Sequence, residues 1–471
     1  MATISSAGIG SGLDVESLVS KLVSLERTPI TQLATKKEGL KTELSAFGKV
    51  QSALSALRDA ASKLTSPTSW SGTVATSSDP TSVSVTSTSG APVSNVTVQV
   101  AALAQAQTLV GTTYYSGSDA TVGQGSLTIS LGAWASGNTD FTPKAGADAI
   151  TINIGPGQDT LAGVRDAINA AGAGVTASIV SDASGTRLSL RSSSTGETNG
   201  FMIEGTGGLS DLSYDPRVGN SALTQTVPAQ NARALINGIE VSSESNTLKQ
   251  AIDGLNITLL RTTTFPASVA ISQDSEAIKK LITDFTSAYN AVNALLRDQT
   301  KYDESTKTAG ALQGDSTINS LQSQLRRIIG GTASLGGEFT RLAEIGLEPG
   351  SDGNLKVNET KLASAMGNLE GLKTVFMGLD NDEASNSGFA QRLRSYIDGA
   401  LGTDGSITTR QAGIQKLISN NDKRTEELEN RVSLTESRLR ARYTALDTQM
   451  AKLNSLQEYV TQMTSQLTKN S

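Results

Sequence analysis

Three acidic side chains stand close together toward the carboxyl end of the chain: Asp380, Asp382 and Glu383. Carboxylate oxygens are the ligands that Ca²⁺ prefers in proteins. An EF-hand loop also requires glycine at its sixth position, where this chain carries Ser385. The cluster is therefore typical of a solvated loop, and the sequence predicts no metal site.

Two glycine-rich stretches have the composition of phosphate-binding loops. Residues 8–12 read GIGSG before a predicted helix, but Leu13 and Val15 stand where a dinucleotide fingerprint needs its third glycine, and no strand precedes them. The Gly-Lys pair at 48–49 is followed by Val50, which excludes a P-loop. We therefore expect no nucleotide and no cofactor.

The composition excludes much other chemistry. The chain has neither cysteine nor histidine, so it can form no disulfide, cysteine metal site, Ser-His-Asp triad or HExxH metal site. Carboxylate pairs of the kind used in glycoside hydrolysis stay open, because the 45 acidic residues supply many candidate pairs and nothing singles one out. We expect a protein without catalytic residues, and an enzyme is the less favoured alternative.

Each of the two tryptophans could stack against a sugar ring. Trp70 stands at the end of a predicted helical segment, where packing is the expected role. Trp134 lies in a segment rich in glycine and serine, and we expect it to be exposed. Sugar binding at Trp134 is kept as the less favoured alternative to packing.

The charge and hydropathy of the chain argue against two classes of partner. A formal net charge of −6 is unfavourable for binding nucleic acid. Between residues 71 and 270 there are eight basic and fourteen acidic residues, so this segment carries the whole net charge. No apolar run reaches the length that a membrane-spanning helix needs, so we expect no membrane insertion.

The first 70 residues have the pattern of two helices. Asp14 is the predicted cap of the first helix. Thr28, followed by Pro29, is the predicted cap of the second, which would end near Ser66. The apolar stripes of these helices supply five candidate assembly contacts: Leu18, Leu22, Leu25, Leu33 and Leu40.

The carboxyl end mirrors this arrangement. The segment from Thr409 to Lys469 contains no proline and a single glycine, which predicts one helix of about 90 Å. A compact domain has no need for a helix of that length. Apolar residues recur along it at intervals of seven and complete the set of candidate assembly contacts: Val432, Leu439, Leu446, Leu453, Val460 and Leu467.

Two interpretations of these helical arms stay open. The stripes can pack on each other within one chain, or they can pack into an assembly of other subunits, because amphipathic helices serve both purposes. The faces opposite the stripes are rich in serine, threonine, glutamine and asparagine, which suit adaptable contacts. This composition favours the assembly interpretation.

The middle of the chain changes to a period of two. Alternating apolar residues predict strands around 83–85, 96–100, 127–131 and 150–154. Asn237-Gly238, between two apolar pairs, predicts a tight hairpin. The segments 159–169 and 246–256 align without gaps, and each is predicted to form a short helix capped by its first Asp or Asn.

Helical patterns return from Asp274 onward, and we expect them to pack with the amino-terminal helix. The fold class is therefore α+β and multidomain, with long terminal helical arms, a helical body and inserted β-rich head domains. The predicted division is 1–41 with 431–471 for the arms, 42–70 with 274–430 for the body, 71–112 with 231–273 for an inner β-rich domain and 113–230 for an outer one.

Several segments resemble one known family. They read GIGSGLDVESLV (8–19), LERTPI (25–30), ALING (234–238), GALQGD (310–315) and LAEIGL (342–347). In this combination and order, the chain resembles the bacterial flagellar filament cap family, also called hook-associated protein 2. The repeated unit at 160–169 is similar to a module shared with flagellins and other flagellar axial proteins. The segment 111–228 is the least diagnostic part.

This resemblance implies a structural assembly factor that caps the growing filament and helps exported flagellin to fold and insert. The implied partners are further copies of the chain in a ring, flagellin, the hook–filament junction proteins and a cytoplasmic export chaperone at the carboxyl-terminal helix. The implied location is the extracellular flagellum tip, reached through the flagellar type III export apparatus without a cleavable signal peptide. A flagellar surface adhesin, or another hook-associated or flagellin-like axial protein, is the alternative.

Overall fold

The computed structural model describes residues 14–88, 90–219, 221–335 and 337–469, except the side chains of 466–469. The glycine-rich segment 8–13 therefore lies outside the described residues. The chain is α+β and multidomain, and it forms two compact units. The helical unit combines residues up to Trp70 with those from Ile278 onward, and the β unit is the segment between them in sequence, Ser71–Ala277.

The helices lie mainly in the helical unit, and α4 belongs to the β unit. They are α1 (Val15–Glu26), α2 (Thr28–Leu64), α3 (Pro67–Trp70), α4 (Leu161–Ala171), α5 (Ser275–Thr300), α6 (Ser316–Gly330), α7 (Glu359–Ala365), α8 (Leu369–Met377), α9 (Phe389–Leu401) and α10 (Ser406–Lys469).

The strands lie mainly in the β unit, and two short hairpins belong to the helical unit. They are β1 (Thr73–Ser77), β2 (Val83–Ser87), β3 (Ser94–Ala102), β4 (Thr108–Gly111), β5 (Gly125–Trp134), β6 (Phe141–Pro143), β7 (Ile150–Ile154), β8 (Val175–Asp182), β9 (Gly185–Ser192), β10 (Gly200–Gly205), β11 (Leu223–Val227), β12 (Ala232–Ile236), β13 (Ile239–Ser243), β14 (Thr247–Ile252), β15 (Leu255–Leu259), β16 (Ala267–Gln273), β17 (Tyr302–Asp303), β18 (Thr308–Ala309), β19 (Leu347–Pro349) and β20 (Leu355–Val357).

A single large apolar core holds the helical unit together. It combines buried side chains of α2, α5, α6, α8 and α9 with the first turns of α10. Phe47, Phe285 and Phe376 are among its largest fully buried members. Trp70 joins this core, because its indole N–H donates to the Leu64 carbonyl (2.8 Å) and its ring lies 6.2 Å from that of Phe376.

The starts of α1 and α2 follow the sequence signals with one correction. Asp14 caps α1 as predicted, since its carboxylate accepts a hydrogen bond from the Ser17 backbone N–H at 2.9 Å. Thr28 is not the cap of α2. The cap position is Arg27, which makes no side-chain capping bond, and Thr28 and Pro29 form the first helical positions. Proline has no backbone N–H, so Pro29 removes one of the donors that a capping side chain would otherwise have to satisfy at the start of the helix.

The β unit contains two apolar cores within antiparallel sheets. The first core lies between the sheet β1-β16-β3-β12-β13 and the sheet β14-β15-β2. The second core is covered by β11-β4-β9-β8, by β10-β5-β6 with β7 on β5, and by α4. The predicted hairpin at Asn237-Gly238 is confirmed, with Ile236 opposite Ile239 and positive φ at both turn residues.

The repeated segment folds differently in its two copies. The first copy is helix α4, although its cap is Thr160, whose hydroxyl accepts from the Gly163 N–H at 3.1 Å. The second copy is not a helix, and the prediction for it is wrong. It forms the hairpin β14–β15, because Asp253-Gly254 makes a tight turn and the apolar side chains Leu248 and Ile257 then point into the first core.

Candidate assembly surface

Helix α1 packs on α10 through valines four residues apart. Val15, Val19 and Val23 are buried, and together with Val432 they form a small apolar cluster of their own. Leu439 and Tyr443 pack against its edge. These valines are the contacts that the sequence analysis missed, although their i, i+4 spacing is a signal of one helix face. Val432 is thereby committed to contacts within the chain.

Charged pairs fix the antiparallel register of the arms. Arg440 donates to both oxygens of Glu16, with Nη2 2.8 Å from Oε1, and also to Glu436 on its own helix. Farther along, Arg431 lies 3.8 Å from Glu26. The hydrogen bonds from Arg440 lower the pKa of Glu16, and Glu16 is the main group that raises the pKa of Arg440.

Helix α2 continues this pairing toward the helical core. Lys37 Nζ lies 2.6 Å from the Asp422 carboxylate, and the Asn421 amide donates to the Leu33 carbonyl at 2.7 Å. Leu33 is half-buried, and Leu40 belongs to the helical core. Leu40 therefore packs among the chain's own helices, and Leu33 contributes its backbone carbonyl to the pairing of α2 with α10, so neither is counted in the assembly surface.

The leucines of α1 lie beside the buried valines and face outward. Leu18 and Leu22 are 38% and 37% exposed, and Leu25 is 70% exposed. An apolar side chain that stays in water gives up the stabilisation that burial would supply, about 1.5–3 kcal/mol for a leucine. No residue that the structure describes covers this row fully.

The larger exposed stripe lies on α10 beyond Tyr443. Leu446, Leu453 and Val460 are 42%, 59% and 53% exposed. The side chain of the last predicted contact, Leu467, lies outside the described part of α10. The stripe also includes Leu456 and Met463, which accompany the seven-residue row in the sequence, and the exposed side chain of Tyr459. We define the arm stripe as the exposed α10 residues Leu446, Leu453, Leu456, Tyr459, Val460 and Met463.

The acidic cluster is a hydrogen-bonded turn. The Asp380 carboxylate accepts from the backbone N–H groups of Asp382 (2.9 Å) and Glu383 (3.0 Å) and from the Asn386 amide. The bond from the Glu383 N–H is the main reason that the pKa of Asp380 lies below its ordinary value. Over the described ranges, no three acidic, histidine or cysteine side chains converge as metal ligands. The carboxylate oxygens here organise the loop.

The prediction that Trp134 is exposed is wrong. It ends β5, is half-buried, and its ring lies 4.7 Å from that of Phe141 and 5.7 Å from that of Tyr214. Its indole N–H donates to the Phe201 carbonyl at 3.2 Å. The surrounding glycines and serines suggested a loop, but the strand brings the ring against the second β core. A packing role accounts for every one of these contacts.

Among the residues that the structure describes, no helix combines the length and the apolar character that crossing a membrane requires.

Three protein-family models match the chain. The model "Flagellar hook-associated protein 2 N-terminus" matches residues 11–107, and "Flagellar hook-associated protein 2 C-terminus" matches residues 229–455. Between them, "Flagellin hook IN motif" matches residues 136–194, which include α4 and the first copy of the repeat.

Individual relatives align along the whole chain. Flagellar hook-associated protein 2 of Escherichia coli is 31% identical over 478 residues, covering 98% of each chain. The Salmonella typhimurium protein of the same name is 29% identical, covering 100% of each. A crystal structure of the D1-D2-D3 domains of the flagellar cap protein FliD from Escherichia coli matches 79% of this chain and 99% of that one, with 31% identity and a TM-score of 0.60. This chain belongs to the flagellar hook-associated protein 2 family.

Proposed function

We propose that this chain caps the tip of the growing bacterial flagellar filament and promotes the folding and insertion of exported flagellin subunits. Membership of the flagellar hook-associated protein 2 family supports this role. The observation that carries it is the arm stripe, an apolar row on α10 from Leu446 to Met463 that is exposed in the part of the chain that the structure describes. The role is structural and requires no covalent chemistry.

The physical character of the arm stripe suits a cap that must move. A subunit that stays at the tip during growth has to release its contacts and remake them for each new flagellin. Small aliphatic contacts of about 1.5–3 kcal/mol each can be broken one at a time. Of the side chains that dominate tight interfaces, tryptophan, tyrosine and arginine, the arm stripe contains a single one, Tyr459.

We infer that the partners are flagellin, the hook–filament junction proteins and further copies of this chain in a ring. Family membership and the match to the flagellin motif support partners within the flagellar filament. A ring would give a partner to the outer leucines of the arms, which are exposed among the residues that the structure describes. We also infer that an export chaperone binds the carboxyl-terminal helix, residues 432–467, before secretion. In that state the arm stripe would be covered until the chain reaches the filament.

We place the working location of the chain at the extracellular tip of the flagellum, reached through the flagellar export apparatus. Family membership supports the flagellar location. The absence of cysteine suits a chain that passes into an oxidising exterior, because no thiol is present to cross-link.

Charged substitutions in the arm stripe test the proposal. The variants are supplied to a strain from which only this gene has been deleted. Leu446→Asp and Leu453→Asp should each reduce filament number and length at least tenfold relative to the parental gene, since a buried unpaired carboxylate opposes assembly. Thr448→Asp adds the same charge to an exposed site on the other face of α10 and is the matched control. Electron microscopy of filaments and motility in soft agar provide the readouts. Filaments of parental length in both leucine variants would rule out the arm stripe as the working surface.

A further inference from the structure

The helix pair α2–α10 connects two separate apolar clusters. The large core of the helical unit ends on this pair at Leu40 and Ile418. The small cluster of the arms begins on the same pair at Ile30 and Val432. Side chains that are buried in one cluster stabilise one another, so a break between two clusters is a place where one part can open while the other stays folded.

Polar residues occupy the helix face between the two clusters. On α10, Asn421 and Thr425 lie on the face that faces α2, before the half-buried Leu428. On α2, Lys37 lies at the same level, and its Nζ is 2.6 Å from the Asp422 carboxylate. An ion pair and hydrogen bonds therefore hold the two helices together at this level, where apolar burial holds them on either side.

Asn421 is buried with part of its hydrogen-bonding capacity unused. Its side chain is 7% exposed, and its amide donates to the Leu33 carbonyl at 2.7 Å. Its Oδ1 is shielded from solvent and has no hydrogen-bond partner among the described residues. An acceptor that gives up water without gaining a partner is costly. A leucine of similar size would avoid that cost and would extend the apolar face, so Asn421 weakens the pairing of α2 with α10.

Gly39 weakens the same level from the side of α2. It lies in the interior of that helix, two residues from Lys37. A Cβ built on Gly39 would meet nothing within 4 Å, so no close packing requires a glycine there. Glycine is less stable than alanine inside a helix, because it loses more backbone freedom on folding. Two independent weaknesses therefore coincide between the clusters.

We propose that Asn421 is a built-in weak point, at which the arms separate from the helical body while the large core stays folded. The arms in this sense are residues 15–33 together with α10 beyond Leu428. A single buried asparagine between paired helices can fix their register at a cost in stability. The bond from Asn421 to the Leu33 carbonyl forms in one register, so the same residue returns the arms to one alignment when they close.

Hydrogen exchange of the full chain tests the weak point. In the parent, the amides of α1 and of residues 30–37 should exchange much faster than those of α5, which belongs to the large core. Asn421→Leu should slow exchange of these arm amides at least about tenfold, because it removes the unpaired acceptor and extends the apolar face. Unchanged or faster exchange of the arm amides in Asn421→Leu would overturn the proposal, and so would equal exchange of arms and α5 in the parent.

The neighbouring residue provides a matched control. Asn420 is exposed, so Asn420→Leu makes the same substitution outside the helix pair and should leave the arm amides within about twofold of the parent. Slowing of the arm amides in Asn420→Leu equal to that in Asn421→Leu would contradict the proposal, because a general gain in helix stability would then explain both.

The glycine provides a second variant at the same level. Gly39→Ala should slow the arm amides about two- to fivefold. Gly48→Ala is its control, because Gly48 also lies inside α2 with nothing within 4 Å of a Cβ, but stands beside the buried Phe47 of the large core. It should leave the arm amides unchanged. Equal slowing in the two glycine variants would mean that α2 opens as a whole, which contradicts a weak point at Asn421.

Filament growth shows whether the cap uses this separation, an inference that rests on the proposed function. Asn421→Leu should shorten filaments severalfold, since arms that cannot separate would hinder each step of growth, and Asn420→Leu should give parental filaments. Parental filaments in Asn421→Leu would overturn this use, whereas the exchange data alone decide whether the weak point exists. Failure of the proposed function itself would appear differently, as normal filaments in cells that lack the chain.

Discussion

Tyr289 is among the largest fully buried side chains of the helical unit, with 1% of its surface exposed. It lies on α5 within the helical core, and burial raises the pKa of its phenol to about 12. An ordinary tyrosine ionises near pH 10. The dependence of stability on pH therefore reports on the burial of Tyr289 in this core.

We predict that alkali destabilises the helical unit through Tyr289. Between about pH 10 and 12 the unfolded state releases the phenol proton and the folded state keeps it, so the free energy of unfolding falls as the pH rises. The contribution of Tyr289 to the free energy of unfolding is fully present below pH 10, and this free energy should fall by about 2–3 kcal/mol by pH 12. Thermal unfolding of the full chain measures this loss. In Tyr289→Phe, the decrease over the same range should be smaller, and identical pH curves for the two chains would contradict the prediction.

Two glycines with the same backbone conformation should respond differently to an added methyl group. Gly254 and Gly238 have φ values of +77° and +80°. A Cβ on Gly254 would lie 2.6 Å from the Ala91 Cα, whereas a Cβ on Gly238 would meet nothing within 4 Å. Gly238→Ala should therefore cost about 1–2 kcal/mol from backbone strain alone, and Gly254→Ala about 3 kcal/mol or more.

Hydrogen exchange in the full chain reports on each hairpin separately. Gly254→Ala should accelerate exchange in β14 and β15, and Gly238→Ala should affect β12 and β13 much less. Equal acceleration in the two variants would mean that the close approach to Ala91 has no energetic effect.

Single residues also mark the limit of sequence reasoning. Asn237-Gly238 was predictable because a two-residue turn with positive φ selects those residue types. The packing of Trp134 was not predictable, since the glycines and serines around it are compatible with both a loop and a strand. Its position depends on Phe141 and Tyr214, which are distant in sequence from each other. Tertiary contacts of this kind leave no local signal.

At the scale of elements, periodicity predicted the helices and strands but not which face of each would be covered. In α1, the rows Val15-Val19-Val23 and Leu18-Leu22-Leu25 lie next to each other on one helix, and both are apolar. The structure buries the valines and exposes the leucines. The repeat failed for a related reason, since Asp253-Gly254 breaks the helical pattern in the second copy only and a hairpin then buries the same apolar residues.

Substitutions in the two rows of α1 should impair different properties, the packing of α1 on α10 in one case and assembly in the other. Val19→Asp puts a charge into a site with 0% exposure and should separate α1 from α10, at a cost of about 3 kcal/mol or more. Leu22→Asp should leave α1 paired with α10 but impair assembly, because that side chain is 37% exposed. Hydrogen exchange of α1 tests the first effect, and filament growth tests the second. Rapid exchange in Leu22→Asp, or slow exchange in Val19→Asp, would contradict this assignment of the faces.

At the scale of the whole molecule, the chain has a helical unit, whose long arms carry apolar residues exposed over the described ranges, and an acidic β unit. We propose that the chain divides further into arms, helical body and two β-rich parts, as the sequence predicted, with one boundary moved. Strand β4 (Thr108–Gly111) pairs with β9 and β11, and Leu109 lies in the second core, so the outer part begins near residue 108. The strand pattern alone could not assign β4, because its partners lie about 80 and 115 residues later in the chain.

The most direct test of the capping role is the amount of unpolymerised flagellin in the medium of cells that lack only this chain, relative to the parent strain. A cap retains exported subunits at the tip, so its loss should release them. We predict a large rise in free flagellin together with bare hooks, and restoration of filaments when the gene is supplied again. Normal filaments with no rise in free flagellin would contradict the proposed function.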